Sequence, residues 1–298
     1  MNPSSGHGRT TRSRAAPLNG SLEPGADPIR IRLTLHYDGA DFHGWQVQPD
    51  VPTVQGELEA VAARLTGGHR PVLGAGRTDR GVHALGQVAV LDVPDPWTPA
   101  GLRKSLNALL PPGIWVASAE RAPEDFHPRY DAVARTYAYR VGLDEASLSP
   151  FHRRYCWPLA RPLDPAVLHE SADLVVGSHT FRAFAKSGQP ERGDRCRVLE
   201  AEWSDWPPLG MTFRITADRY LHHMVRYLVG TMVEAAQGKR PPEDFRRLLE
   251  GGSGADGPIT SAPAPAEGLF LTAVRYPRDP ECRDGLGERA RRPTTNEE

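Results

Sequence analysis

GAGRTDRGVHA, residues 74 to 84, sets one carboxylate, Asp79, between two arginines, Arg77 and Arg80, with glycines at 74, 76 and 81 and a histidine at 83. Gly76 and Gly81 have the spacing of a phosphate-binding loop, but Val82-His83 stands where that motif needs Lys and Ser/Thr. Gly74 and Gly76 lack the third glycine of a dinucleotide fingerprint. Both of those loops lead into a helix. Here Val88, Val90 and Val93 mark an outgoing strand. A strand-loop-strand unit takes the chain out of the nucleotide-binding α/β class. It leaves an aspartate, ionised at neutral pH unless buried, beside cations that could hold phosphate.

Working outward from that loop, Ile29, Ile31, Leu33, Leu35 and Tyr37 alternate with other residues, the period of a half-buried strand. Thr53 is placed to cap a helix bearing Val54, Leu58, Val61, Ala62 and Leu65, stopped by Gly67-Gly68. A short strand at Val72-Leu73 precedes the charged loop. Thr98-Pro99 opens a helix with Leu102, Leu106 and Leu109, and Ile114 to Ala119 is a strand. The order is βαββαβ, the ferredoxin-like unit. A similar order follows: a strand at Ala134–Val141, a helix from Asp164-Pro165, and strands at Val198–Trp203 and Met211–Ile215. A long helix through Leu221, Val225, Leu228, Val229 and Met232, a short helix at Glu243–Leu249 and a strand at Leu269–Val274 complete it. The expected class is α+β, with two ferredoxin-like halves, 28–130 and 131–278, forming one mainly antiparallel sheet with helices on one face. Residues 1–27 and 279–298 read as disordered polar tails.

Composition bounds the function. The chain has 298 residues and a net charge of -1, so no global field draws a polyanion and any such site is a local cluster. Cys156, Cys196 and Cys282 lie far apart, which fits a reducing compartment and no disulfide framework. No apolar run reaches membrane-spanning length. His222 and His223 are adjacent and expected to diverge on a helix, so no metal site is expected. A glycosidase would want two carboxylates where the loop offers one.

Aromatic and basic residues interleave in three places, 42–46 (FHGWQ), 126–130 (FHPRY) and 135–140 (RTYAYR). Rings can stack unpaired bases while guanidinium groups hold phosphates, so these clusters with the charged loop point to RNA. Arg77, Arg80, Arg129, Arg135 and Arg226 are expected along one cleft, with Glu57, Glu59 and Asp92 directed elsewhere.

The chain resembles the TruA family of tRNA pseudouridine synthases. The matching segments are FHGWQVQ at 42–48, TVQGELE at 53–59, GAGRTDRGVHA at 74–84, SLNALLPP at 105–112 and FHPRYDAVARTYAYR at 126–140. HTFRAFA at 179–185, YLHHMVRYLVG at 220–230 and APAEGLFL at 264–271 continue in family order. The resemblance implies the pseudouridine synthase fold and isomerisation of uridine at tRNA positions 38, 39 and 40, in the anticodon stem-loop. It implies no cofactor, no essential metal, a homodimer and a cytoplasmic location.

By position, the resemblance makes Asp79 the catalytic nucleophile, with attack at C1′, attack at C6 and deprotonation at C2′ all open. It makes Tyr137 the active-site tyrosine, stacked on uracil, and Arg226 the partner of the aspartate. Arg77, Arg80, His83 and Leu269 are the remaining expected substrate contacts. Arg80 stands where alanine is frequent, Tyr220 where phenylalanine is usual, Thr180 where aspartate is frequent and Tyr227 where asparagine is common. Two other classes stay open. A non-catalytic RNA-binding protein would form no pseudouridine. A metal-dependent phosphate-ester hydrolase would lose activity to a chelator.

Overall fold

The computed structural model of the chain describes residues 28–186, 193–251, 257–277 and 279. The tails expected at 1–27 and 279–298 lie outside the described residues, apart from Asp279.

Strand β1 (Ile29–Tyr37) buries Ile31, Leu33, Leu35 and Tyr37 and leaves the residues between them half-buried, so its alternation is real. Helix α1 (Val54–Thr66) follows, capped by the Thr53 side chain, which accepts from the Gly56 N–H, and closed by Gly67 in the left-handed region. Two-residue β2 (Leu73–Gly74) enters the charged loop and β3 (His83–Val93) leaves it. Helix α2 (Pro99–Leu109), capped by Thr98, and β4 (Ile114–Arg121) finish the first unit.

The second unit opens with β5 (Ala134–Gly142) and a short β6 (Trp157–Pro158). Helix α3 (Pro165–Val175) is capped by Asp164. After it come β7 (Gly177–Thr180), β8 (Arg195–Trp206) and β9 (Gly210–Ala217), then α4 (Met224–Ala236), α5 (Glu243–Leu249) and β10 (Leu269–Arg275).

These ten strands form one sheet ordered β4-β1-β3-β10-β5-β9-β8-β7, with β2 on β3 and β6 on β5. All ladders are antiparallel except β3 with β10 and β5 with β6. Within each unit the order of the four main strands is the same, β4-β1-β3-β2 and β10-β5-β9-β8, which is the ferredoxin-like order. The α+β expectation of two such units in one mainly antiparallel sheet is borne out.

The units meet along a short seam. The outer edge of β3 is shared, with Ala89 and Val90 paired to β2 and His83 and Ala84 paired to β10. Beyond that pair Gly86 passes so close to β10 that a Cβ there would lie 2.2 Å from the Thr272 carbonyl oxygen. Any side chain would push the units apart. On one side of the seam Val54, Leu58, Val61, Leu102 and Leu106 pack on β1 and β3. On the other, Leu168, Val225, Leu228, Val229 and Met232 pack with Phe213 and Ile215. Each fully buried Leu or Phe stabilises by roughly 1.5–3 kcal/mol.

Two boundaries differ from expectation. β3 begins at His83 rather than near Val88, because pairing with β1 reaches back to Tyr37 and Ala84. Helix α4 begins at Met224, so Leu221, His222 and His223 precede it.

Candidate active site

The charged loop, residues 75–82, is held from below by buried polar groups. Buried Gln87 donates to the Gly76 carbonyl at 2.7 Å, and the Tyr37 hydroxyl lies 2.8 Å from Thr78 Oγ1. The Trp45 N–H donates to the Thr78 carbonyl at 3.0 Å. Gly44, at φ +90°, makes that approach possible, since a Cβ there would sit 2.6 Å from the same carbonyl oxygen. A turn closed by Val82 N–H donating to the Asp79 carbonyl, with Gly81 at φ +81°, then lifts Asp79 out of the loop.

The Asp79 carboxylate faces the segment before α4. His222 Nε2 is 3.4 Å from Oδ1, His223 Nε2 is 3.2 Å from Oδ2 and Arg226 Nη1 is 4.0 Å from Oδ2. The contact between Asp79 and Arg226 was expected. The two histidines were not. They precede the helix, and His223 sits in the left-handed region at φ +64°, so adjacent imidazoles converge on one carboxylate instead of diverging. Their adjacency was visible in sequence, but nothing there signalled a left-handed non-glycine residue. Burial holds His223 below the ordinary imidazole value, against the pull of Asp79, and His222, Arg226 and Lys186 add to the lowering. The donor atoms of Asp79, His222 and His223 lie within 4.8 Å of one another, a grouping able to hold a metal ion; the expectation of diverging imidazoles is corrected.

Tyr137 comes from β5, with its ring edge-on to Tyr220 at 4.9 Å and its backbone between Leu271 and Ile215. Burial pushes its hydroxyl up to about 12; Arg135 opposes that and the nearby Asp79 carboxylate adds to it. The hydroxyl therefore keeps its proton at neutral pH. Tyr220 places its own hydroxyl 3.0 Å from the Arg135 carbonyl and 2.9 Å from that of Ile215, contacts a phenylalanine could not make. Leu269 is buried at the start of β10 in the apolar cluster that includes Val82, Tyr139 and Val225. It can form the wall beneath the loop.

Arg77 and Arg80 are exposed and take no hydrogen-bond or ion-pair partner among the described residues. They are free for phosphate. Arg135 is not. Its guanidinium donates to the carbonyls of Ala75, Arg129, Ala132 and Asp218, a knot under the loop, and burial lowers its pKa. Of the five arginines expected along a cleft, Arg135 is thus committed to backbone carbonyls. The acids behave as expected for Asp92, which pairs with Arg30 at 2.8 Å, and for Glu59, which accepts from the Val72 N–H.

His83 is also reassigned by its surroundings. Only 1% of it is exposed; Nδ1 accepts from the Gly39 N–H, Nε2 faces the Arg154 carbonyl at 3.0 Å and the ring stacks on Phe270. It pins the far end of the loop and is shut off from a substrate. The base-stacking expectation fails for 42–46 as well, because Phe42 and Trp45 are core residues. Tyr139 is buried, with its hydroxyl donating to the Pro265 carbonyl. Of the rings in those clusters, Tyr130 is the exposed one, at 61%.

The profile of a family described as tRNA pseudouridine synthase matches residues 34–131 and 172–277, which carry the loop, the histidines and Arg226. This chain belongs to that family. A tRNA pseudouridine synthase A from Solibacter usitatus is 42% identical over 83% of this chain and 99% of its own length. Proteins of the same name from Solidesulfovibrio magneticus and Maridesulfovibrio salexigens are 41% and 38% identical, each over 83% of this chain. As a member of the tRNA pseudouridine synthase family this chain is an isomerase acting on tRNA uridine. No helix among the described residues is long and apolar enough to cross a membrane.

Proposed function

We propose that this chain converts uridine to pseudouridine at tRNA positions 38, 39 and 40 in the anticodon stem-loop, with Asp79 as the catalytic carboxylate. The observation that carries this is the placement of Asp79 opposite Arg226, near Tyr137 and on a loop whose Arg77 and Arg80 are exposed and without a partner among the described residues. The reaction breaks the N1–C1′ bond, turns the uracil and joins C5 to C1′. The C5 proton is lost and N1 takes one up, so the sum is an isomerisation that needs no co-reactant. A carboxylate can serve it as nucleophile or base. Arg226 fixes that carboxylate, and Tyr137 offers a face for the extruded base and a hydroxyl near C5. Arg77 and Arg80 take the backbone phosphates. Leu269 closes the apolar side.

The rest of the proposal follows from the family resemblance: a homodimer in the cytoplasm that works without a cofactor or an essential metal. The halves 28–130 and 131–278 are taken as a structural duplication with the cleft at their seam. The test is incubation of the purified chain with an unmodified anticodon stem-loop transcript, followed by position-resolved detection of pseudouridine. Product at 38, 39 or 40 supports the reading. Tight binding without product would make the chain a binding protein, and activity lost to a chelator would favour the metal-dependent hydrolase.

A further inference from the structure

Two imidazoles from the segment before α4 and the carboxylate of the charged loop meet at one point. The donor atoms of Asp79, His222 and His223 lie within 4.8 Å of one another, with N to O separations of 3.4 and 3.2 Å. Ligands bound tetrahedrally to zinc at about 2.0–2.1 Å lie about 3.3 Å apart along each edge. Each nitrogen thus stands at about an edge length from one oxygen of the carboxylate, and side-chain rotation brings the three donors, already within 4.8 Å of one another, onto one ion. The backbone is already bent for it, since His223 holds φ +64°. Side-chain exposures of 38% for His222, 34% for Asp79 and 18% for His223 leave a path to solvent and an open fourth position.

We propose that Asp79, His222 and His223 form a reversible, inhibitory binding site for zinc. The donor set decides the class of cation. Imidazole nitrogens with one carboxylate suit zinc and its neighbours in the transition series, whereas magnesium and calcium require oxygen donors. Arg226, 4.0 Å from the same carboxylate, opposes a second positive charge and weakens the affinity, which keeps the binding reversible. A zinc ion here takes the lone pairs of Asp79 and fills the place of the uracil ring. The inhibitory half rests on the reading of Asp79 as the catalytic carboxylate; the binding half rests on geometry alone. The expected sign is opposite to that of a metal-dependent hydrolase, because a chelator restores turnover.

The experiment uses the full chain, free of any histidine tag and stripped with a chelator. Zinc is titrated by calorimetry, and cobalt(II) is added as a visible-absorption probe. The expected result is one equivalent of zinc per chain and cobalt bands of low-coordinate intensity. His222→Gln and His223→Gln should each weaken binding at least tenfold, and magnesium should not compete. Pseudouridine formation on a tRNA transcript should fall as zinc binds and return with chelator. The half-inhibiting concentration, taken against each variant's own zinc-free rate, should rise in step with its dissociation constant. Absence of stoichiometric binding, or binding unchanged in both histidine variants, overturns the site. Binding at the site without inhibition overturns the regulatory role. Asp79→Asn separates the two premises: if it loses zinc but keeps turnover, the catalytic reading of Asp79 has failed while the metal site stands.

Discussion

Arg226 and Ala264 hold each other twice. The Ala264 N–H donates to the Arg226 carbonyl at 3.0 Å, and the Arg226 Nε–H donates back to the Ala264 carbonyl at 2.6 Å. The irregular segment before β10 thereby fixes the plane of the guanidinium and aims Nη1 at Asp79. Lysine has a charge but no Nε–H in that plane. Arg226→Lys should lower the turnover rate by about 10- to 100-fold, the scale of one charged hydrogen bond worth roughly 1.5–3 kcal/mol. Binding of tRNA should change far less. Single-turnover kinetics beside a filter-binding titration would check the split.

Asp79→Asn should abolish turnover and keep tRNA binding within about tenfold, because the exposed arginines that meet phosphate are untouched. A normal rate in this variant would remove Asp79 from the chemistry.

The Tyr137 hydroxyl, pushed up to about 12 by burial, stays protonated across the usable range. With a raised pKa the neutral form persists below that value, so no alkaline limb from Tyr137 should appear between pH 7 and about 9.5. Tyr137→Phe should slow the reaction more than it weakens binding, with the shape of the pH-rate profile unchanged. A profile that flattens in the Phe variant would show that phenolate is the working form.

Gly44→Ala should destabilise the protein by about 1–3 kcal/mol or more, from positive φ and from the clash with the Thr78 carbonyl oxygen. Activity of the folded fraction should fall as well, since that carbonyl is the loop's anchor to Trp45. Urea denaturation and the rate per folded molecule measure the two effects separately.

Arg80 and Arg135 should part company. Arg80→Ala should lower the slope of log affinity against log salt by about 0.9, the value for one phosphate on B-DNA. Arg135→Ala should leave that slope alone and reduce stability instead, because its guanidinium serves four carbonyls beneath the loop.

Local chemistry carried most of the fold into the sequence. The caps at Thr53, Thr98 and Asp164 and the alternation in β1 act within a few residues, and each is found where the pattern put it. What was illegible depends on contacts between distant segments. Nothing near Arg135 announces that it meets Ala75 and Asp218. Trp45 and Phe42 look like stacking platforms by residue type, yet the fold spends them on the core. His83 carries the motif's histidine, but β3 starts with it and Phe270 covers it. The meeting of Asp79 with Arg226 was readable because the motif is short and strong around each of them. His222 and His223 were misread because a helical geometry was extended one turn too far.

β10 has a consequence for how the molecule is made. A ribosome has already added Asp79, Tyr137, His222, His223 and Arg226 before it reaches Leu269. Those side chains belong to two units whose shared ladder is supplied by β10, paired to His83 and Ala84 on one side and to β5 on the other. Until that strand emerges, facing edges of β3 and β5 stay open and exposed to other chains. Arrest of translation before residue 269 should therefore yield a chain that carries all five of these side chains and forms no pseudouridine. Competence to modify RNA should arrive in one step, once β10 has been made and paired.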